Sequence, residues 1–179
     1  MQNLIIGLGG AGNNIVSYLQ EKKLDKSNFL LIQTDANTYR DTIIENKILL
    51  DIKKNSNIRE AFNMKSTNIK KYISSSEKVF IVAGLGGMCG SNVLFYLCEN
   101  FSEYNINNYA IVTKPFKYEG ILRSKVANET IEKSKDKFTY YKIFDNQSLF
   151  GKANKDTTFI QAFDMMNNSI YKYIEERRL

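Results

Sequence analysis

Short apolar runs alternate with amphipathic stretches along this chain. Gln2–Leu8 opens on two polar residues and continues as a short apolar run carrying a glycine, the pattern of a buried strand. After Gly9-Gly10-Ala11-Gly12, apolar side chains recur at Ile15, Val16 and Leu19, the spacing of one helix face. Residues 29–32 predict a second strand, followed by Thr34-Asp35, and residues 47–50 a third, short and at an edge. Residues 58–73 are polar but periodic enough for a helix. A strand over 78–83 ends at Gly84-Leu85-Gly86-Gly87, and Val93, Leu94, Leu97 and Phe101 form a helical face after it. The spacing then predicts a strand over 109–112, ended by Thr113-Lys114-Pro115. A helix over 119–133 has Leu122, Val126 and Ile131 inward, and a strand over 139–144 follows. A last helix from about Asp156 carries Phe159, Phe163, Met166, Ile170 and Ile174 on one stripe. This alternation specifies an α/β fold, an open parallel sheet with helices on both faces, which binds ligands beyond the carboxyl ends of its strands.

Composition narrows the chemistry. A chain of 179 residues, 43% hydrophobic and 12% aromatic, can build a core and reads as one domain over 1–179. No run is long and apolar enough for a membrane-spanning helix, and residues 1–10 lack the basic start of a signal peptide, so a soluble, cytoplasmic protein is expected. Histidine is absent, which excludes imidazole-based triads and histidine metal sites. Cys89 and Cys98 are too few for a disulfide scaffold or a cysteine zinc site, so no metal site is expected. The net charge is +6, but the lysines are scattered, as in Lys22-Lys23, Lys53-Lys54 and Lys70-Lys71. No block of like charge points to nucleic acid or a membrane surface.

Two glycine-rich loops carry the candidate chemistry. Gly7-Leu8-Gly9-Gly10-Ala11-Gly12-Asn13-Asn14 opens the first helix, and Gly84-Leu85-Gly86-Gly87-Met88-Cys89-Gly90-Ser91 opens another. Glycine lets backbone amides approach an anion, and a helix amino terminus adds a favourable field. Gly7, Gly9 and Gly12 also fit the GxGxxG fingerprint, with Asp35 about where a dinucleotide's ribose would need an acid. Two such loops on one sheet suit a polyphosphate held from two sides.

The segment from Ile5 to Asn14 resembles the first nucleotide loop of FtsZ, the bacterial relative of tubulin. Thr34-Asp35-Ala36 is similar to that family's NTDA segment, and residues 80–90 to its ITAGMGGGTG segment. Val112 to Phe116, with Tyr118-Glu119-Gly120 and Arg123, resembles VTKPFxFEGxxR. Asn146 and Leu149 resemble its PNDRL loop, and Ala162-Phe163 with Asn167 its AFxxAND stretch. The matches are collinear over nearly the whole chain.

The resemblance implies the tubulin/FtsZ GTPase domain, ending in the family's central helix without its second domain, and a bound GTP or GDP, with Mg2+ entering through the nucleotide. It implies that Gly9, Gly10 and Asn14, with Asn13, line the phosphates and base edge. Gly86, Gly87 and Gly90, with Met88 and Cys89, would surround the phosphates. Glu119, Arg123 and Asn146 would contact the sugar, Phe163 would stack on guanine, Asn167 would bond its edge, and Asp35 would lie at the site.

The departures also carry expectations. Met88 stands where the family has glycine, and Cys89 where it has threonine. Lys53-Lys54-Asn55-Ser56-Asn57 replaces the family's AGAN-like loop, where a lysine could compensate by charge. Asp164 and Glu175 do not reproduce the acidic loop that activates water in the neighbouring subunit. With that loop expected beyond Leu179, no catalytic residue is assigned. The chain is expected to bind nucleotide, to turn it over poorly alone, and to remain a monomer or closed dimer. A role as partner, cap or regulator of a full-length FtsZ-like protein in cell division follows. The alternatives are a nucleotide-free interaction module, an NAD-binding Rossmann protein, or a fragment of a longer GTPase.

Overall fold

In the computed structural model, which describes residues 2–24, 27–55, 57–101, 104, 106–152 and 158–178, six strands form one parallel sheet. They are β1 (Gln2–Leu8), β2 (Ser27–Gln33), β3 (Lys47–Leu49), β4 (Ser76–Gly84), β5 (Asn107–Lys114) and β6 (Tyr140–Asp145), in the order β3-β2-β1-β4-β5-β6. The chain builds outward from β1 to β3, then crosses back to lay β4 along the other side of β1. Successive crossovers therefore diverge at β1 and β4, which opens a crevice at their carboxyl ends.

Around the sheet run α1 (Gly9–Glu21), α2 (Ala36–Asp41), α3 (Ile58–Ser74), α4 (Met88–Asn100), α5 (Ile121–Ser134), α6 (Leu149–Lys152) and α7 (Phe159–Glu175). Side chains alternate across each strand. Leu4, Ile6, Leu8, Val79 and Ile81 pack with α3, α4 and α5. Ile5, Leu31, Phe80, Val82 and Ile111 pack on the opposite face with α1 and α7. The far end of α7 is tied to the strand starts, where Asn3 Nδ2 donates to the Arg178 carbonyl (3.2 Å) and Lys78 Nζ to the Arg177 carbonyl (3.0 Å).

The fold class, the edge position of β3 and the burial of Cys98 agree with the sequence reading. Two helix faces do not. In α5, Leu122 is 79% exposed and Val126 39%, while Ala127, Thr130, Ile131 and Ser134 face the core. That small, polar face can be buried because its hydroxyls bond backward along the helix. Thr130 Oγ1 donates to the Val126 carbonyl (2.8 Å) and Ser134 Oγ to the Thr130 carbonyl (2.7 Å). In α7 the buried stripe is Ala162, Met166, Asn167, Ile170 and Ile174, and the expected Phe159 and Phe163 lie outside it. The expected helix start at Asp156 lies outside the described residues; α7 begins at Phe159, capped by Thr158, whose Oγ1 accepts from the Gln161 amide.

The helices meet the strands through glycine. A Cβ at Gly12 would lie 2.8 Å from the Gly7 carbonyl carbon and 2.9 Å from the Val82 oxygen; one at Gly90 would lie 2.2 Å from the Gly84 oxygen. Neither obstacle is a flexible side chain. Gly12→Ala and Gly90→Ala should each destabilise the protein by about 1–3 kcal/mol. Urea unfolding checks this, and a loss below about 0.5 kcal/mol for both would contradict the close approach.

Candidate functional site

A cleft of about 430 Å³ lies over the carboxyl ends of the central strands. Its floor is formed by the first turns of α1, which follows β1 directly, and α4, which follows β4 after Leu85-Gly86-Gly87. Helices α2, α3 and α7 are capped by the side chains of Asp35, Asn57 and Thr158. By contrast, neither α1, preceded by Leu8, nor α4, preceded by Gly87, has a side-chain cap. Two uncapped amino termini therefore meet at one crevice, where their orphan amides favour an anion.

The glycines divide by what they face. Gly86, at φ +94°, has no room for a Cβ, which would lie 2.8 Å from the Arg123 carbonyl oxygen. Its N–H donates to Ser91 Oγ (2.9 Å), so that amide shapes the loop and is already engaged. A Cβ at Gly10 or Gly87 would meet nothing within 4 Å. Packing does not demand glycine at either position, and the bare backbone there borders the cleft.

The other end of the cleft is built around β5 and α7. Glu119 Oε1 accepts from the Phe116 amide (2.8 Å), and its Oε2 accepts from Arg123 Nη1 (2.6 Å). This fixes the turn after Pro115 and orients the guanidinium at the cleft wall. Phe116 is buried, stacked on Tyr118 (5.0 Å between ring centroids) and meeting Phe163 edge to face (5.8 Å, 87°). Phe163 remains 43% exposed and borders the cleft, which leaves ring surface available to a flat ligand. Asn146 is buried, yet its Oδ1 has no hydrogen-bond partner.

Of the residues expected at the site, Gly9, Gly10, Asn14, Gly87, Met88, Cys89, Gly90, Glu119, Arg123, Asn146 and Phe163 line this one cleft. Four do not. Asn13 Oδ1 instead accepts from Thr42 Oγ1 (2.5 Å). Gly86 is engaged with Ser91, and Asn167 faces the core side of α7. Asp35 caps α2, accepting from the Thr38 amide and Oγ1 (both 2.8 Å), and these bonds hold its carboxyl below the usual range. Lys53 and Lys54 supply no cleft cation: their loop folds onto Asp51, which accepts from both backbone amides (3.1 and 3.3 Å). The sequence reading missed Gln33, which is 2% exposed and lines the cleft. Among the described residues, no group of three histidine, cysteine or acidic side chains could hold a metal, and no helix is long and apolar enough to cross a membrane.

Cys89 is buried against the end of β2, its Sγ 3.5 Å from the Ile32 carbonyl, and burial pushes its thiol up to about 11. Burial does the same to Cys98, also to about 11. Both thiols stay protonated at neutral pH, so Cys89 is not an activated nucleophile. Raised folded-state values mean that the thiols stabilise the fold below about pH 9 and cease to do so as pH climbs towards 11. Iodoacetamide at neutral pH should leave both unlabelled in the native protein and label both in denaturant. Rapid native labelling of Cys89 would contradict this.

The family model described as Tubulin/FtsZ family, GTPase domain, matches residues 2–154. The cell division protein FtsZ of Rickettsia felis is 30% identical over 176 residues, covering 93% of this chain and 39% of that protein. That of Rickettsia bellii is 31% identical, covering 93% and 38%. The chain thus spans about two-fifths of the length of these relatives. Among solved structures, the empty FtsZ dimer of M. jannaschii superposes with a TM-score of 0.84 at 28% identity, covering 97% of this chain and 53% of that one. CetZ2 from Haloferax volcanii, in a GTPγS-bound protofilament, shares the fold with a TM-score of 0.81 at 18% identity, over 98% and 57%. With the glycine loops, the parallel sheet and the family match in agreement, this chain belongs to the Tubulin/FtsZ family and comprises sequence of its GTPase domain.

Proposed function

We propose that residues 1–179 act as one nucleotide-binding domain whose cleft takes a guanine nucleotide, GTP or GDP. The observation that carries this reading is the meeting of two uncapped, glycine-bearing helix starts with an exposed aromatic face at Phe163. The helix amides bind phosphate oxygens, with Gly10 and Gly87 keeping the approach open. Arg123, held by Glu119, and Asn146 bond the sugar, and Phe163 stacks on the base. The CetZ2 relative was solved with GTPγS, which supports a guanine ligand on this fold.

An NAD ligand fits less well. The acid that would bind its ribose is Asp35, and that carboxylate already accepts two hydrogen bonds as a helix cap.

Hydrolysis is a separate matter. The only carboxylate lining the cleft among the described residues is Glu119, and it is bound to Arg123 and the Phe116 amide. No described cleft carboxylate is therefore free to act as a base on an attacking water, so this domain binds nucleotide without turning it over unaided. A full-length FtsZ-like protein is the partner class that would supply the acid, consistent with relatives named cell division proteins. A Mg2+ ion, if present, would be held by phosphates and water, since the described residues offer no ligand cluster for it.

Two outcomes follow. Phe163→Ala should weaken GDP binding by about 1–3 kcal/mol in titration calorimetry. Gly87→Ala should weaken it too, while keeping the native unfolding midpoint, since its Cβ meets only open space. Unchanged affinity in both variants would remove the ligand from this cleft. Purified protein incubated alone with GTP should release no phosphate above background over hours, and steady turnover would refute the inference about the missing acid.

A further inference from the structure

The two edges of the sheet are unlike. β3 is three residues long, too short to template another strand. β6 has six residues, paired with β5 in unbroken register from Tyr109–Tyr140 to Lys114–Asp145. Among the described residues no strand pairs with its outer side. None of its residues is buried; Tyr140 is 48% exposed and Ile143 41%. No proline, glycine or bulge blunts this edge, and Lys142 is the one charge inside it. Alternate residues of such an edge turn their N–H and C=O groups outward, which makes a template for a further strand.

The strand is held from both faces. On one, Tyr140 stacks on Tyr109 (4.5 Å between ring centroids, 12°), and Phe144 meets Tyr173 of α7 edge to face (6.2 Å, 89°). On the other, Tyr141 packs against Phe138 (5.8 Å), and its hydroxyl lies 3.1 Å from Ser134 Oγ. The rings of the strand are thus already ordered, which lowers the cost of adding a partner.

We propose that β6 pairs antiparallel with β6 of a second copy of this chain, joining two sheets into one across a two-fold axis. An axis perpendicular to the sheet keeps each face with itself, so it passes through one residue. Through Tyr141 or Phe144 it would pair only three residues of each strand, because β6 starts at Tyr140 and ends at Asp145. Through Lys142 it would set two ammonium groups opposite each other, which is destabilising. Through Ile143 it pairs residues 141–145 and opposes no like charges: Ile143 faces Ile143, Lys142 faces Phe144, and Tyr141 faces Asp145. Lys142 Nζ, already 5.7 Å from the centroid of its own Phe144 ring, then gains a second ring. This contact is isologous and closes as a dimer. Strand direction reverses across the axis, so the two clefts lie at opposite ends of the dimer and both stay open. The proposal is therefore independent of what the cleft binds.

Sedimentation equilibrium of the purified protein over about 5–500 µM, with and without GDP, reads the association. A contact built on one strand is small, so we expect a reversible dimer with a micromolar dissociation constant that GDP changes by less than about twofold. Ile143→Lys puts two ammonium groups at the axis beside Lys142 and should be monomeric throughout that range. Because Ile143 is exposed, the variant should keep the native circular dichroism spectrum and melting midpoint. Ile143→Cys reports on the axis itself and decides the matter should the lysine variant fail to fold. Residues directly opposite across an antiparallel pair have Cβ atoms about 4.5–5.5 Å apart, so copper-phenanthroline in air should give a disulfide-linked dimer. Met64→Cys, at a position 75% exposed on α3, should not, and the native Cys89 and Cys98 are buried. A protein monomeric over the whole range, a dimer that persists in Ile143→Lys or forms only with nucleotide, or equal cross-linking of both cysteine variants would overturn the proposal.

Discussion

The structure depends on how closely two helices can begin after two neighbouring parallel strands. β1 and β4 are paired up to Leu8 and Ala83, and α1 and α4 start within a few residues of those positions. Gly12 presses on Gly7 and Val82, and Gly90 on Gly84, at distances that exclude any Cβ. A Cβ at Gly9 would lie 3.1 Å from the Cβ of Cys89, so the two helix starts also touch each other. These contacts bring two sets of unbonded amides to one point. The crevice there is polar because neither helix start has a side-chain cap.

Everything at the site is arranged about that point. On one side the turn after β5 is locked by Glu119, which holds the Phe116 amide and Arg123 together. Phe116 then supports Phe163 from beneath through an edge-to-face contact. On the other side Gln33 is fixed by its own turn, and its backbone carbonyl accepts from the Leu50 amide just past β3. Two of the five buried side-chain atoms without partners among the described residues, Gln33 Nε2 and Asn146 Oδ1, belong to residues that line this cleft. The nucleotide proposed for this cleft would account for glycine at two positions, Gly10 and Gly87, where packing has no use for it. Met88, 61% exposed at the cleft border, adds apolar bulk at a position where the resembling motif has glycine.

Much of this was legible from residues alone. The strands announce themselves because a strand buried on both faces must be apolar along its length, as residues 79–83 are. The two glycine loops were visible because their spacing places them at strand-to-helix junctions. Helix faces were harder to read. In α5, Ile121 and Leu122 look like core residues, but the helix buries Thr130 and Ser134, whose hydroxyls satisfy themselves within the helix. Hydrophobicity cannot anticipate that exchange. Asp35 looked like a ligand-binding acid, yet a Thr three residues on made it a cap. Gln33 was overlooked because a polar residue at a strand end normally marks the return to solvent, and only the packing of the neighbouring elements buries it.

The central claim is that one cleft, centred on the starts of α1 and α4, recognises a guanine nucleotide. Equilibrium dialysis of the purified protein against labelled GDP, with unlabelled competitors, tests it most directly. The account predicts saturable binding near one nucleotide per chain, displaced by GTP and GDP but not by ADP or NAD at the same concentration. Displacement by NAD, equal displacement by ADP, or no saturable binding would contradict it.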